Sequence, residues 1–232
     1  MGKVYDEYAE AYDQWFMNNE NLFVSEAKMV AKALGVPGRT LSVGCGSGLF
    51  ESYFRRELGL VIEDGIEPAE AMAAIARKRG MKVTIGTAEN IVGDGSYDTV
   101  LFNGCPSYID DLEKAFRNAY AALKPGGRIV VVDVPKDSAY ALIYNLALAV
   151  GTWDHPLLEG VKPPDPYPIE FVKAARWRTI KEKEDLLVKV GFGDLTSWQT
   201  LTVYPDRAND AVEEPVPGND RGSYVAVVAV KK

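Results

Sequence analysis

Between Leu41 and Phe54 the chain reads LSVGCGSGLFESYF: a short apolar run, glycines at 44, 46 and 48, then a helix-like pattern. Residues of this kind act through the backbone. Glycine lets a strand turn sharply into a helix and lets a ligand approach with no Cβ in the way, and the first N–H groups of the following helix have no partner within it. About 20 residues further on, Glu67 in GIEPAEAM closes a second apolar run, where a strand-end carboxylate can accept both hydroxyls of a ribose. The competing reading of Glu67 is a carboxylate in the first turn of a helix. His155, in WDHPLL, is the one histidine. It is a candidate base for an oxygen acceptor, or a surface histidine in a proline-rich loop. Cys45 and Cys105 form no C-x-x-C and no ligand spacing, so neither a disulfide framework nor a metal site is expected. Cys105 reads as a small buried residue.

The elements that would position these groups alternate. Residues 5–20 read as a helix carrying Tyr5, Tyr8, Tyr12, Trp15 and Phe16, and a second helix spans about 25–34, with Ala27, Val30, Ala31 and Leu34 on one face. Strands are expected at 40–43, 61–66, 82–85, 97–102 and 128–134, with helices over 49–58, 69–79 and 112–123 between them. KPGG at 124–127 turns the last of those helices into a strand apolar throughout, the mark of burial on both faces of a parallel sheet. Thr179 and Glu182 form a capping-box pattern for a helix that Gly191 ends, and strands at 195–204 and 223–230 close the chain. This alternation predicts a doubly wound α/β sheet with right-handed crossovers and helices on both faces.

The glycine spacing selects among ligands. No Lys follows Gly48, so it is not a phosphate-binding G-x-x-x-x-G-K-[ST] loop. Leu49 stands where the dinucleotide pattern G-x-G-x-x-G has its third glycine. The spacing G-x-G-x-G resembles motif I of the class I S-adenosylmethionine-dependent methyltransferases. The resemblance extends to Gly65–Met72, to GTAENI at 86–91, to YDTVLFNG at 97–104, to LKPGGRIVVVD at 123–133 and to the late TIKEKEDLLVKVGF. In order and spacing the chain is similar to the small-molecule methyltransferases of the ubiquinone and menaquinone biosynthesis group (methyltransferase type 11).

That resemblance implies one domain over residues 1–232 and a mostly parallel seven-stranded sheet of order 3-2-1-4-5-7-6, strand seven antiparallel. It implies S-adenosyl-L-methionine as cofactor, held by Gly44, Cys45, Gly46 and Gly48 in the turn, Glu67, Pro68 and Met72 after strand two, Thr87, Ala88 and Glu89 at the adenine, and Asn103 facing the methyl group. It also implies Tyr12, in AEAYDQWF, closing over the cofactor, whereas Tyr5, Tyr8 and Trp15 read as packing. Two positions depart from the pattern: Ser42 stands where an acid usually precedes the first glycine by two residues, and Thr87 where the adenine loop often carries Asp.

The expected reaction is methyl transfer to a small organic acceptor by in-line displacement, which needs positioning and exclusion of water more than a catalytic dyad. The alternatives are a non-catalytic binding or interaction module on the same fold and, disfavoured by Leu49, a nicotinamide-dependent oxidoreductase. Segments 1–25 and 136–178 should cover the site, with Tyr108, Tyr140, Tyr144, Trp153, Phe171 and Trp177 forming an apolar acceptor pocket. A net charge of −7 argues against a nucleic-acid surface. No apolar run approaches the ~18 residues of a membrane span, and no apolar signal core opens the chain. The composition therefore reads as cytoplasmic.

Overall fold

The computed structural model describes residues 5–6 and 9–232. Tyr8, read as a packing residue, lies outside them. Helices α1 (Ala9–Asn18) and α2 (Glu20–Leu34) precede β1 (Thr40–Val43). Then follow α3 (Leu49–Leu58), β2 (Asp64–Glu67), α4 (Glu70–Lys78), β3 (Lys82–Ile85) and β4 (Tyr97–Asn103). Next come α5 (Leu112–Ala122), β5 (Leu123–Asp133), α6 (Ala139–Val150), α7 (Ile169–Ala174) and α8 (Ile180–Val190). Strands β6 (Phe192–Thr200), β7 (Val216–Pro217) and β8 (Tyr224–Lys231) complete the chain.

One sheet runs β3-β2-β1-β4-β5-β8-β6-β7. The first five strands are parallel, and β8 is antiparallel to both β5 and β6. The expected order therefore holds, with β6 and β8 as the sixth and seventh strands, but the sheet has eight. The addition is β7, two residues pairing Trp198 with Pro217 and Gln199 with Val216 at the outer edge. Gln199 Nε2 donates to the Pro217 carbonyl at 3.4 Å and to Asp220 at 2.7 Å. Proline, lacking an N–H, is tolerated there because an edge strand needs no donor on its free side.

Period-two alternation splits the core between the sheet faces. Leu101, Val130, Val132, Ala226 and Val228 point toward α1, α2, α3 and α6, while Val100, Phe102, Ile129, Val131, Val225 and Val227 point toward α5 and α8. The KPGG segment, expected to be a turn, is the irregular start of β5: Gly126 takes φ +73°, and the register with β4 shifts between Tyr97 and Thr99. The Thr179 capping box is formed, with Glu182 N–H donating to Thr179 Oγ1 at 3.1 Å and Thr179 N–H to Glu182 Oε2 at 2.6 Å. Among the described residues no helix is long and apolar enough to cross a membrane.

Parallel strands carry their C-terminal ends to one rim. At that rim the order turns outward in both directions from β1 and β4, so the turns after these strands diverge and leave a crevice.

Candidate cofactor and acceptor site

That crevice holds a pocket of about 280 Å³. The turn after β1 supplies Gly44 and Gly46. Both have positive φ, +62° and +55°. A Cβ on Gly44 would come within 2.7 Å of Cys105 Cβ, whereas one on Gly46 would meet no protein atom within 4 Å, so the bare backbone there leaves open space for a ligand. The end of β2 supplies Glu67, only 5% exposed. Its Oε2 accepts from Gly46 N–H and its Oε1 from Ala69 N–H, both at 2.9 Å. Burial raises the Glu67 pKa, while these two N–H donors hold it down. The carboxylate keeps unused lone pairs on a pocket surface.

Pro68 and Met72 continue this wall. Across from them, the short 3₁₀ turn Ala88–Asn90 presents Thr87, Ala88 and Glu89. Asn118 of α5 steadies it, its Nδ2 donating to the Glu89 carbonyl at 2.8 Å. From the end of β4 come Asn103, Gly104 and Cys105. The Tyr224 hydroxyl donates to Asn103 Oδ1 at 2.8 Å, which orients the amide with its NH₂ free. Cys105 is no nucleophile here: its Sγ donates to the Val43 carbonyl at 3.0 Å, and burial pushes its thiol pKa well up.

A tyrosine cover closes the other side, with Tyr5, Tyr12, Tyr108 and Tyr167. Tyr5 stacks on Phe171 at 4.8 Å and meets Tyr108 edge-on at 5.4 Å. Helix α1 is fastened to the glycine turn, because Asp13 accepts from Ser47 Oγ at 2.5 Å and pairs with Arg79 at 2.6 Å, while Arg79 also donates to the Ser47 carbonyl. The 103–111 wall is fixed from below. Ser107 Oγ donates to buried Asp133 at 2.7 Å, and the equally buried Lys183 ammonium lies 3.0 Å from the same carboxylate in a charge contact without a well-aligned hydrogen bond.

Ten of the residues expected at the cofactor line this one pocket: Tyr12, Gly44, Gly46, Glu67, Pro68, Met72, Thr87, Ala88, Glu89 and Asn103. Two do not. Cys45 packs away from it against Ala76 and Met81, and Gly48 lies against Met81 and Ala76, where a Cβ would come within 2.8 Å of the Met81 sulfur. Cys45 and Gly48 therefore serve packing against Ala76 of α4 and Met81 just beyond it. His155 is not at the pocket; its Nδ1 accepts from Leu157 N–H at 3.2 Å, capping the 3₁₀ turn Pro156–Leu158. Tyr5, read as packing, lines the pocket, whereas Trp15 packs as expected, donating to the Asp165 carbonyl. Of the aromatic residues expected around an acceptor, Tyr108 lines the pocket. Tyr140, Tyr144 and Phe171 are buried behind it, and Tyr167, unanticipated, takes a place in front. Ser42 donates to Glu51 Oε1 at 2.6 Å, so α3 returns a buried carboxylate to the strand end that lacks one in sequence.

The sequence profile of a family described as a methyltransferase domain matches residues 18–176. The chain belongs to this methyltransferase family. It is 30% identical to an uncharacterized protein of Methanocaldococcus jannaschii, over 98% of both chains. A demethylmenaquinone methyltransferase of Tropheryma whipplei is 28% identical over 86% of both. The crystal structure of an S-adenosylmethionine-dependent methyltransferase of Thermotoga maritima, described as a possible histamine N-methyltransferase, superposes with a TM-score of 0.84 at 31% identity, over the full length of each. The chain is thus an S-adenosylmethionine-dependent methyltransferase with that cofactor.

Proposed function

We propose that this chain, as one domain over residues 1–232, moves a methyl group from S-adenosylmethionine to a small organic acceptor in the cytoplasm. The observation that carries the site is Glu67: a buried carboxylate, preset by the Gly46 and Ala69 amides, on the wall of a pocket of about 280 Å³. The volume is near the lower bound of small-ligand sites. When bound, the cofactor supplies an electrophilic methyl on a positively charged sulfur. Glu67 receives the ribose hydroxyls, and Gly46 gives room beside the amino-acid portion. The turn at Thr87–Glu89 borders the adenine with Met72 beneath it. Asn103 stands at the end of β4, where the reacting atoms meet. Tyr5, Tyr12, Tyr108 and Tyr167 exclude water and present electron-rich faces to a sulfonium.

The pocket lining contains no Lys, Arg or His among the described residues and three acids, Glu67, Glu89 and Asp110. This supports a neutral or cationic acceptor over an anionic one. Calorimetric titration of S-adenosylhomocysteine into wild type and Glu67→Ala tests the assignment. Micromolar binding that weakens about 10- to 100-fold in the variant is expected from the loss of charged hydrogen bonds. Equal binding by both proteins refutes the role of Glu67.

A further inference from the structure

Helix α6 reads AYALIYNLALAV and carries no charged residue. Helical periodicity separates two faces. Tyr140, Ala141, Tyr144 and Ala147 are buried, and Leu148 packs with the two tyrosines into the core. The opposite face holds Leu142, Ile143, Leu146, Ala149 and Val150, all exposed or half-exposed, with Asn145 at its edge. Among the described residues none of these five joins a buried apolar cluster. Leu142 is 61% exposed, and the 3₁₀ turn Pro156–Leu158, beside α6, adds Leu157 at 63%. A surface helix normally turns a polar face to water, and one that is apolar all round is buried. The outer face of α6 therefore calls for a cover.

Charge and shape indicate which one. The chain has a net charge of −7, so two copies repel over most of their surfaces. An uncharged strip is where a second copy can approach, and the cores of protein interfaces are depleted in charge. A membrane fits less well. At 12 residues α6 is too short to span one. Asp137 and Asp154 flank it, and Lys162 is paired with Asp154 at 2.9 Å, which leaves Lys136 alone to meet anionic lipid. The strip also matches itself. A twofold axis near the middle of α6 lays two copies antiparallel, with Leu142 of each against Ala149 of the other. Large meets small at both ends, as a self-complementary contact requires. Asn145, at the edge, keeps its amide in water.

We propose that the outer face of α6 docks a second copy of this chain, with the two helices antiparallel. The inner face of the same helix carries Tyr144, whose ring lies 6.3 Å from that of Tyr167, a residue of the cofactor pocket. The contact thus joins the covers of two pockets. One helix face about 18 Å long, with a single flanking turn, is a small interface, so the dimer forms in the micromolar range and not the nanomolar.

Sedimentation velocity from micromolar to millimolar protein tests this. Wild type is expected to pass from monomer to dimer as concentration rises. Leu142→Glu and Ala149→Lys each put a charge on an exposed position. Each alone should weaken the dimer at least about tenfold, with an unchanged circular dichroism spectrum to show an intact fold. Two variants are used so that loss of fold in one leaves the other to decide. Mixed in equal amounts, they should form a heterodimer, because the new carboxylate of one helix meets the new ammonium of the other. Wild type that stays monomeric throughout overturns the proposal, and its co-sedimentation with phosphatidylglycerol vesicles would then assign the face to lipid. A dimer that both variants leave as strong also overturns it. Folded variants that remain monomeric on mixing overturn the antiparallel pairing.

Discussion

Two buried glutamates differ in their surroundings, and their protonation follows from that. Glu67 is buried but held by two backbone N–H donors, which keep a carboxylate useful as a hydrogen-bond acceptor. Among the described residues none donates to the buried Glu26, so its charged form is penalised and its pKa rises to about 8. A carboxyl whose folded pKa exceeds its unfolded value takes up a proton on folding. The stability it contributes is complete below about pH 4.5 and is lost as pH rises toward 8. Glu26→Gln removes that titration. Urea denaturation of both proteins at pH 5 and 8.5 should show wild type losing stability relative to the variant by up to ~4 kcal/mol; parallel behaviour contradicts the burial of an unpartnered acid. Glu67 was legible in the sequence because it ends a strand at a fixed distance from a glycine turn. Glu26 carried a fainter signal, an acid spaced four residues from Leu22 and from Val30 within an apolar stripe. His155 could not be judged from sequence, because its ring is engaged by the backbone two residues away.

At the level of elements, the pocket depends on segments clamped from behind. The Asp133–Lys183 pair, with Ser107, joins β5, α8 and the wall after β4 in the interior. Removing one partner leaves the other charge uncompensated, so Lys183→Met should destabilise the fold by about 3–5 kcal/mol, read as a lower denaturation midpoint. A change below 1 kcal/mol would contradict a structural role for the pair. Asp13 ties α1 to the glycine turn through Ser47 and Arg79. Asp13→Ala should therefore speed amide exchange in α1, while β4 and β5 exchange as in wild type; unchanged exchange in α1 would show that its aromatic packing suffices. The helices and the parallel strands could be read from periodicity within a few residues. The β7 edge strand could not, since two residues carry no period, and neither could the packing of Cys45 and Gly48 away from the pocket, which depends on how the turn twists in three dimensions.

For the whole molecule, the account is a doubly wound sheet whose diverging turns open a pocket, closed by an N-terminal helix and the segment before α8. The order of strands was legible through the family resemblance, because periodicity shows that strands exist and not which ones adjoin. The tyrosine side of the pocket was the least legible: it is built by Tyr5 and Tyr12 near the N-terminus, Tyr108 after β4 and Tyr167 before α7, three stretches that only the fold brings together. A ligand binding only the native state at 100 times its Kd should add about 2.7 kcal/mol of stability, seen as a rise in Tm with S-adenosylhomocysteine. The most direct test of the central claim is a crystal structure with S-adenosylhomocysteine bound. The account expects its ribose hydroxyls within about 2.6–3.2 Å of the Glu67 carboxylate, its adenine beside Thr87–Glu89 and its sulfur toward Asn103. Density for the ligand elsewhere on the protein, with the Glu67 pocket empty, would contradict it.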